Sequence, residues 1–210
     1  MDSAEELKRL LAELGIPPGS DAALRLMAYL ALLKKWNSRT NLTSSTEWRV
    51  VGPMFREGIW ASTFYPPDSI AHLDIGSGAG FPAMLLKVMV PRIRLDLVES
   101  REKKSQYLET AAHTLGLDGV SVHAMTLSDY LRACETDRRW DCISWKALKL
   151  RASDLRQLHA HGHGKTELWM FHGRQPALED GDSMEPVFRI MRNNKVPGMR
   201  EWRLSIYRQA

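Results

Sequence analysis

Asp74, three glycines at alternate positions (Gly76, Gly78, Gly80) and Phe81 follow one another in the run H-L-D-I-G-S-G-A-G-F-P, His72 to Pro82. A glycine at every second position lets the backbone turn sharply and lets a ligand approach main-chain amides that a Cβ would shield. The spacing discriminates among nucleotide-binding loops. A dinucleotide fingerprint has its third glycine where Phe81 stands; here that glycine comes one residue early. A second acid, Glu99, follows at the end of the apolar run Ile93–Val98. An acid about 20 residues beyond such a loop, outside the carboxyl end of a strand, accepts both hydroxyls of a ribose. Each feature has a plainer reading, a turn without a ligand or an acid that only solvates a strand end. Together they favour a bound nucleoside.

The surrounding pattern supplies the elements that would position them. Ile70–Ile75 and Ile93–Val98 read as strands flanking the loop, with Phe81–Val90 as the helix it opens into. Upstream, Leu7, Leu10, Leu11 and Leu14 form a helical stripe over residues 4–14, stopped by Gly15 and Pro17–Pro18. Ser20 or Asp21 caps a second helix running to Trp36, with Leu24, Met27, Leu30 and Leu33 inward. Asn37–Ser45 is loop by composition, and a third helix spans Glu47–Ala61, disturbed at Pro53. Pro66–Pro67 closes this helical section. Downstream come a helix at Glu102–Leu115, a strand at Val120–His123, a short helix at Leu127–Ala133 and a strand at Trp140–Ser144. A helix at Asp154–Leu158 and a strand at Glu167–Phe171 follow. The chain then changes character: Val187–Met191 and Trp202–Tyr207 read as two strands joined by N-N-K-V-P-G with no helix between them.

Bulk properties narrow the class. The 210 residues carry 44% hydrophobic content and only two cysteines, Cys134 and Cys142, with no C-x-x-C spacing. That excludes a disulfide framework and favours a reducing cytoplasm. No apolar run approaches the roughly 18–20 residues of a membrane span. The acidic start M-D-S-A-E-E is unlike a secretory signal. The net charge is +4, and from Pro186 to Ala210 six basic residues (Arg189, Arg192, Lys195, Arg200, Arg203, Arg208) stand against Glu201 alone. Further groups lie at Arg101, Lys103 and Lys104 and at Lys146, Lys149, Arg151 and Arg156. On one face they would attract phosphates; scattered, they are ordinary solvated surface.

The D-x-G-x-G-x-G pattern resembles the first motif of S-adenosylmethionine-dependent methyltransferases. Three stretches in order extend the likeness: K-W-N-S-R-T-N-L-T (Lys35–Thr43), D-I-G-S-G-A-G-F-P (Asp74–Pro82) and V-E-S-R-E-K-K-S-Q-Y-L (Val98–Leu108). Over roughly Leu7 to Phe171 the chain is similar to the ribosomal RNA small-subunit methyltransferase G family, also called glucose-inhibited division protein B. The resemblance implies an α/β class I methyltransferase fold, Rossmann-like, with a seven-stranded mixed sheet ending in an antiparallel hairpin. It implies an N-terminal helical cap (residues 1–65) ahead of a cofactor-binding domain (66–210). It further implies S-adenosyl-L-methionine as cofactor and methylation of guanine N7 in 16S ribosomal RNA. The partner would be that RNA or the small ribosomal subunit, in the cytoplasm, by a monomer without membrane or metal.

Residue by residue, the resemblance places Asp74, Gly76, Gly78, Gly80 and Phe81 at the cofactor, Glu99 at the ribose, and the backbone of Thr126 and Leu127 at the adenine. The family's Arg-x-Glu at that point is Met125 and Leu127 here. Its Ser-Arg-Ala beside the reacting centre is Ser144–Ala147 (S-W-K-A), with Lys146 in place of the arginine; its Lys-Gly is His172–Gly173. Lysine is a flexible point charge where arginine is a planar fork, so the exchange is not neutral. Guanine N7 attacks a sulfonium methyl with a ring lone pair, so no general base is needed and positioning carries the rate. Lys146 is the expected catalytic residue, and its replacement by Ala is expected to lower transfer severely with the fold intact. Trp145 or Phe81 stacks on an extruded base or belongs to the core. Asn37 and Asn41 contact substrate or cap backbone. His159, His161 and His163 are surface histidines rather than metal ligands. Three functions stay open: an RNA methyltransferase, a methyltransferase of a protein or small molecule, and a catalytically weak RNA-binding module.

Overall fold

A computed structural model describes residues 2–135, 137–173 and 188–209. Three helices come first: α1 (Ser3–Glu13), α2 (Asp21–Asn37) and α3 (Trp48–Ser62). Asp2 and Ser20 cap the first two by accepting the amides of Ala4 and Ala23, each at 3.3 Å. The buried face of α2 is Ala23, Leu26, Tyr29, Leu30 and Leu33. This corrects the expected face: Leu24 is 59% exposed and Met27 only partly buried. The run A-L-R-L-M-A-Y-L-A-L-L is nearly apolar on every side, so its periodicity leaves the phase of the helix undetermined. Helix α3 continues through Pro53.

Seven strands follow: β1 (Ala71–Ile75), β2 (Arg94–Val98), β3 (Val120–His123), β4 (Cys142–Lys146), β5 (Glu167–His172), β6 (Phe188–Lys195) and β7 (Arg203–Gln209). They form one sheet in the order β3-β2-β1-β4-β5-β7-β6. The first five are parallel, and β7 runs antiparallel between β5 and β6. Helices α4 (Ala83–Met89), α5 (Glu102–Thr114), α6 (Leu127–Ala133) and α7 (Ala152–Ala160) make the crossovers. Side chains alternate between faces along each strand. Leu95, Leu97, Trp169 and Phe171 join the core under α1–α5, while Leu73, Ile75, Leu168 and Met170 join the core under α6 and α7.

Several boundaries differ from expectation, among them α7, which runs Ala152–Ala160 and not Asp154–Leu158, and three nearer the loop and the last hairpin. Strand β4 starts at Cys142, not Trp140, because Asp141 turns aside to accept the amides of Ile70 (2.7 Å) and Ala71 (2.8 Å). Trp145 is therefore inside the strand and Lys146 at its end. Helix α4 opens at Ala83, because the loop holds left-handed backbone through Gly80. Strand β6 includes Asn193–Lys195, and the turn is closed later by the Val196 amide donating to Trp202 O at 2.9 Å. Val187, the expected first residue of that strand, lies outside the described residues. Among the described residues no helix is long and apolar enough to cross a membrane.

Candidate functional site

Strand β1 delivers the glycine loop to the carboxyl edge of the sheet. The Gly76 amide donates to Val98 O at 2.8 Å, tying the loop to the end of β2. Gly76, Gly78 and Gly80 have φ of +68°, +58° and +83°, a region where a Cβ costs about 1–2 kcal/mol. Gly80 also has no room: a Cβ there would lie 2.5 Å from the Tyr29 hydroxyl and 2.6 Å from Met84 Cγ. A Cβ on Gly78 would meet nothing closer than Gly76 O at 3.7 Å. Tyr29, reaching down from α2, donates its hydroxyl to Ala79 O. The helical section thus grips the loop directly.

Glu99 crosses to the same loop. Its Oε2 accepts the Gly78 amide at 2.8 Å and its Oε1 the Arg101 amide at 2.9 Å, and the residue is 6% exposed. Beside it a cavity of about 400 Å³ opens between the ends of β1 and β2, the start of α6 and the segment after β4. Gly76, Thr126 and Leu127 line it, with Met125, Leu148 and Leu150 as apolar walls. Thr126 caps α6, its Oγ1 accepting the Asp129 amide at 3.2 Å, which fixes the Thr126–Leu127 backbone against the cavity. Apolar walls over Gly76 suit a flat base; Glu99 does not line the cavity itself but lies between two residues that do, Val98 and Ser100.

Asp74 lies beneath the loop, not on the cavity wall. It accepts from Ser144 Oγ, and Ser144 is 2.8 Å from His72 Nε2. Burial pushes the Asp74 carboxyl up to about 7, against the pull of its Ser144 hydrogen bond. Burial moves His72 the other way, down to about 3. Phe81 turns from the cavity into the core, edge-on to Tyr29 and Phe55 with ring centroids 5.4 Å from each. Trp145 is wholly buried under α6 and α7. Both aromatic rings are therefore core residues, not a platform for an extruded base.

Lys146 closes the other side of the loop. Its ammonium pairs with Glu57 of α3 and sits 5.4 Å from the centre of the Trp202 ring. Glu57 is fully buried; burial pushes its carboxyl up and the Lys146 charge pulls it back. Replacing Lys146 alone would leave that carboxylate buried without its cation, which argues against an undisturbed fold in Lys146→Ala. The one signal in the sequence for Glu57 is an acid inside the apolar stretch F-R-E-G-I-W-A. Directly after Lys146, Ala147 takes φ +53°, an uncommon conformation for a residue with a Cβ. That turn brings Leu148 back over Gly76.

The remaining candidates resolve locally. Asn37 Oδ1 accepts the amides of Leu42 (3.0 Å) and Thr43 (2.9 Å), so it caps backbone. Asn41 is exposed. His163 bonds Asp141 Oδ1 at 2.9 Å, His161 lies 3.1 Å from Arg138 O, and His159 packs edge-on to Phe188. His172 bonds Ser205 Oγ at 2.8 Å inside the sheet.

The sequence model of the rRNA small subunit methyltransferase G family matches residues 23–179. The chain belongs to that family. Relatives named ribosomal RNA small subunit methyltransferase G are 38% identical over 119 residues in Wolinella succinogenes and 40% identical over 126 residues in Dichelobacter nodosus. These alignments cover 56% and 59% of this chain. The chain spans about three fifths of the length of these relatives, 61% and 59%. Among solved structures, a mutant of MtNAS in complex with S-adenosylmethionine superposes with a TM-score of 0.61 at 15% identity, over 99% of this chain and 77% of that one. A fibrillarin/NOP5P complex does so at 0.55 and 16%, over 77% and 85%. Those two likenesses establish the class I methyltransferase fold. The methyltransferase G match contains the glycine loop, Glu99, Thr126, Leu127, Lys146 and Glu57, and ends before β6 and β7.

Proposed function

We propose that this chain is an S-adenosylmethionine-dependent methyltransferase that modifies guanine N7 in small-subunit ribosomal RNA. The observation that carries the reading is the Glu99–Gly78 clasp beside the apolar-walled cavity, in a chain of the methyltransferase G family. The cofactor would supply an electrophilic sulfonium methyl. Gly76 and Gly78 would let it approach the backbone, Glu99 would accept the ribose hydroxyls, and the Thr126–Leu127 backbone would border the adenine. Asp74, with Ser144, supports the loop from below. Gly80 and Phe81 act at one remove, locking the loop to α2 and α3.

The target nitrogen carries a free lone pair, so no residue need remove a proton; holding donor and acceptor in line is the work of the site. Lys146, held by Glu57 and covered by Trp202, stands at the end of β4 where the acceptor would enter. We assign residues 1–65 to a helical cap and 66–210 to the cofactor-binding domain, working as a monomer in the cytoplasm. The deciding experiment combines cofactor calorimetry with tritiated-methyl transfer to unmodified small-subunit RNA and to the 30S particle. Label mapped to guanine N7 supports the reading. Binding without transfer to either points to a protein or small-molecule acceptor, and no binding removes the reading.

A further inference from the structure

Strand β7 enters the sheet antiparallel, so the β6–β7 turn (residues 196–202) lies at the edge where the parallel strands end, the same edge that carries the cavity. His172 at the end of β5 pairs in register with Arg203, and Arg203 pairs with Lys195. Two cations therefore stand directly opposite one another on neighbouring strands, an arrangement that destabilises a sheet. Glu201 is the one carboxylate that lines the same cavity among the described residues. Arg203 donates to Asn193 Oδ1 at 2.8 Å, and no carboxylate is paired with Lys195, Arg200 or Arg203 among the described residues. Arg208, further along β7, shows the contrast: it holds Glu167 at 2.7 Å. Lys195, Arg200 and Arg203, with Glu201, line a cavity of about 520 Å³. Between these cations sits Trp202, whose ring covers Lys146.

We propose that the β6–β7 turn is a phosphate-binding surface for the RNA strand flanking the target nucleotide. Lys195, Arg200 and Arg203 would contact the backbone, and Trp202 would couple its occupancy to Lys146. The inference rests on the RNA-methylating reading above. A polyanion would offset the Lys195–Arg203 opposition: its phosphates would bring negative charge to two cations that face each other across neighbouring strands. Nucleic acid fits better than a lipid surface because the cations converge on one cavity beside the methyl-transfer end.

The test measures affinity for unmodified small-subunit RNA without cofactor, from 50 to 300 mM salt, for wild type and the triple variant Lys195→Gln/Arg200→Gln/Arg203→Gln. Each lost contact to a single strand should lower the slope of log K against log salt by about 0.7, so the triple variant should lose roughly 2 units of slope. Its melting temperature should equal or exceed that of wild type, and its S-adenosylmethionine affinity should be unchanged. A slope equal to wild type, in a protein that methylates the RNA, overturns this inference alone. A lower melting temperature also overturns it, by making the cations structural. A wild type that binds S-adenosylmethionine but no RNA, or that prefers acidic-lipid vesicles, overturns both this inference and the RNA substrate.

Discussion

The carboxylate of Glu99 holds the amide of Gly78 at 2.8 Å, so the residue suited to the ribose also sets the shape of the loop it faces. Glu99→Gln keeps an acceptor for that amide and removes the charge. Hydrogen bonds to a charged group are worth about 1.5–3 kcal/mol. Calorimetry should therefore find S-adenosylmethionine affinity reduced about 10- to 150-fold, with a lower melting temperature as well, because the amide nitrogen that replaces Oε1 cannot accept from the Arg101 amide. Unaltered affinity would remove Glu99 from the site.

Gly78 and Gly80 separate conformation from packing. Gly78→Ala meets open space and should cost only the left-handed backbone, about 1–2 kcal/mol. Gly80→Ala adds the collision with Tyr29 and Met84, and overpacking costs about 1–3 kcal/mol more. Urea unfolding should rank Gly80→Ala clearly below Gly78→Ala; the reverse order would contradict the grip of α2 on the loop.

Two buried groups under the loop oppose each other with pH. Asp74 rises from 3.8 to about 7 on folding, so its contribution is full below pH 4 and is lost as pH climbs through 7. His72 falls from 6.5 to about 3, so its contribution is full above pH 6.5 and is lost as pH drops through 3. Between pH 4 and 6.5 the two slopes, each up to ~1.4 kcal/mol per pH unit, cancel. Asp74→Asn should leave stability rising with pH in that window, and His72→Gln should leave it falling. Denaturant midpoints at three pH values check the signs, and parallel curves for the two variants would refute the assignment.

Removing one member of a buried ion pair costs about 3–5 kcal/mol. Lys146→Ala should therefore unfold at distinctly lower denaturant than wild type, because Glu57 is left buried without its cation. The double variant Lys146→Met/Glu57→Gln should recover most of that loss while transfer stays severely lowered. A Lys146→Ala protein as stable as the double variant would show that the pair does not stabilise the fold. Any activity assay on the single variant has to be read against this loss.

What the sequence disclosed follows how far apart the interacting residues lie. Gly76, Gly78, Gly80 and Glu99 announce themselves through spacing, because a loop that turns on glycine must spell the glycines out. The strand order β3-β2-β1-β4-β5-β7-β6 is not written in the sequence, since alternating apolar runs do not name their neighbours. The face of α2 is ambiguous at Leu24 because the helix is nearly apolar all round, and the start of β4 is ambiguous because Asp141, Ser144 and Lys146 interrupt W-D-C-I-S-W-K without a regular alternation. The Lys146–Glu57 pair joins residues 89 apart and Tyr29–Ala79 residues 50 apart, and no local pattern marks either. Spacing could assign Phe81 a place beside the ligand; only packing could turn its ring toward Tyr29 and Phe55.

Strand β7 comes after β6 in the chain but lies inside it in the sheet, and among the described residues β6 has no other strand partner. A premature stop just before Arg203 would not trim a margin. It would orphan β6, bare the outer flank of β5 and take away the indole's anchorage over Lys146. Protein lacking Arg203–Gln209 should stick to itself through the opened edge of β5, which makes this late strand one of the least dispensable stretches of the fold.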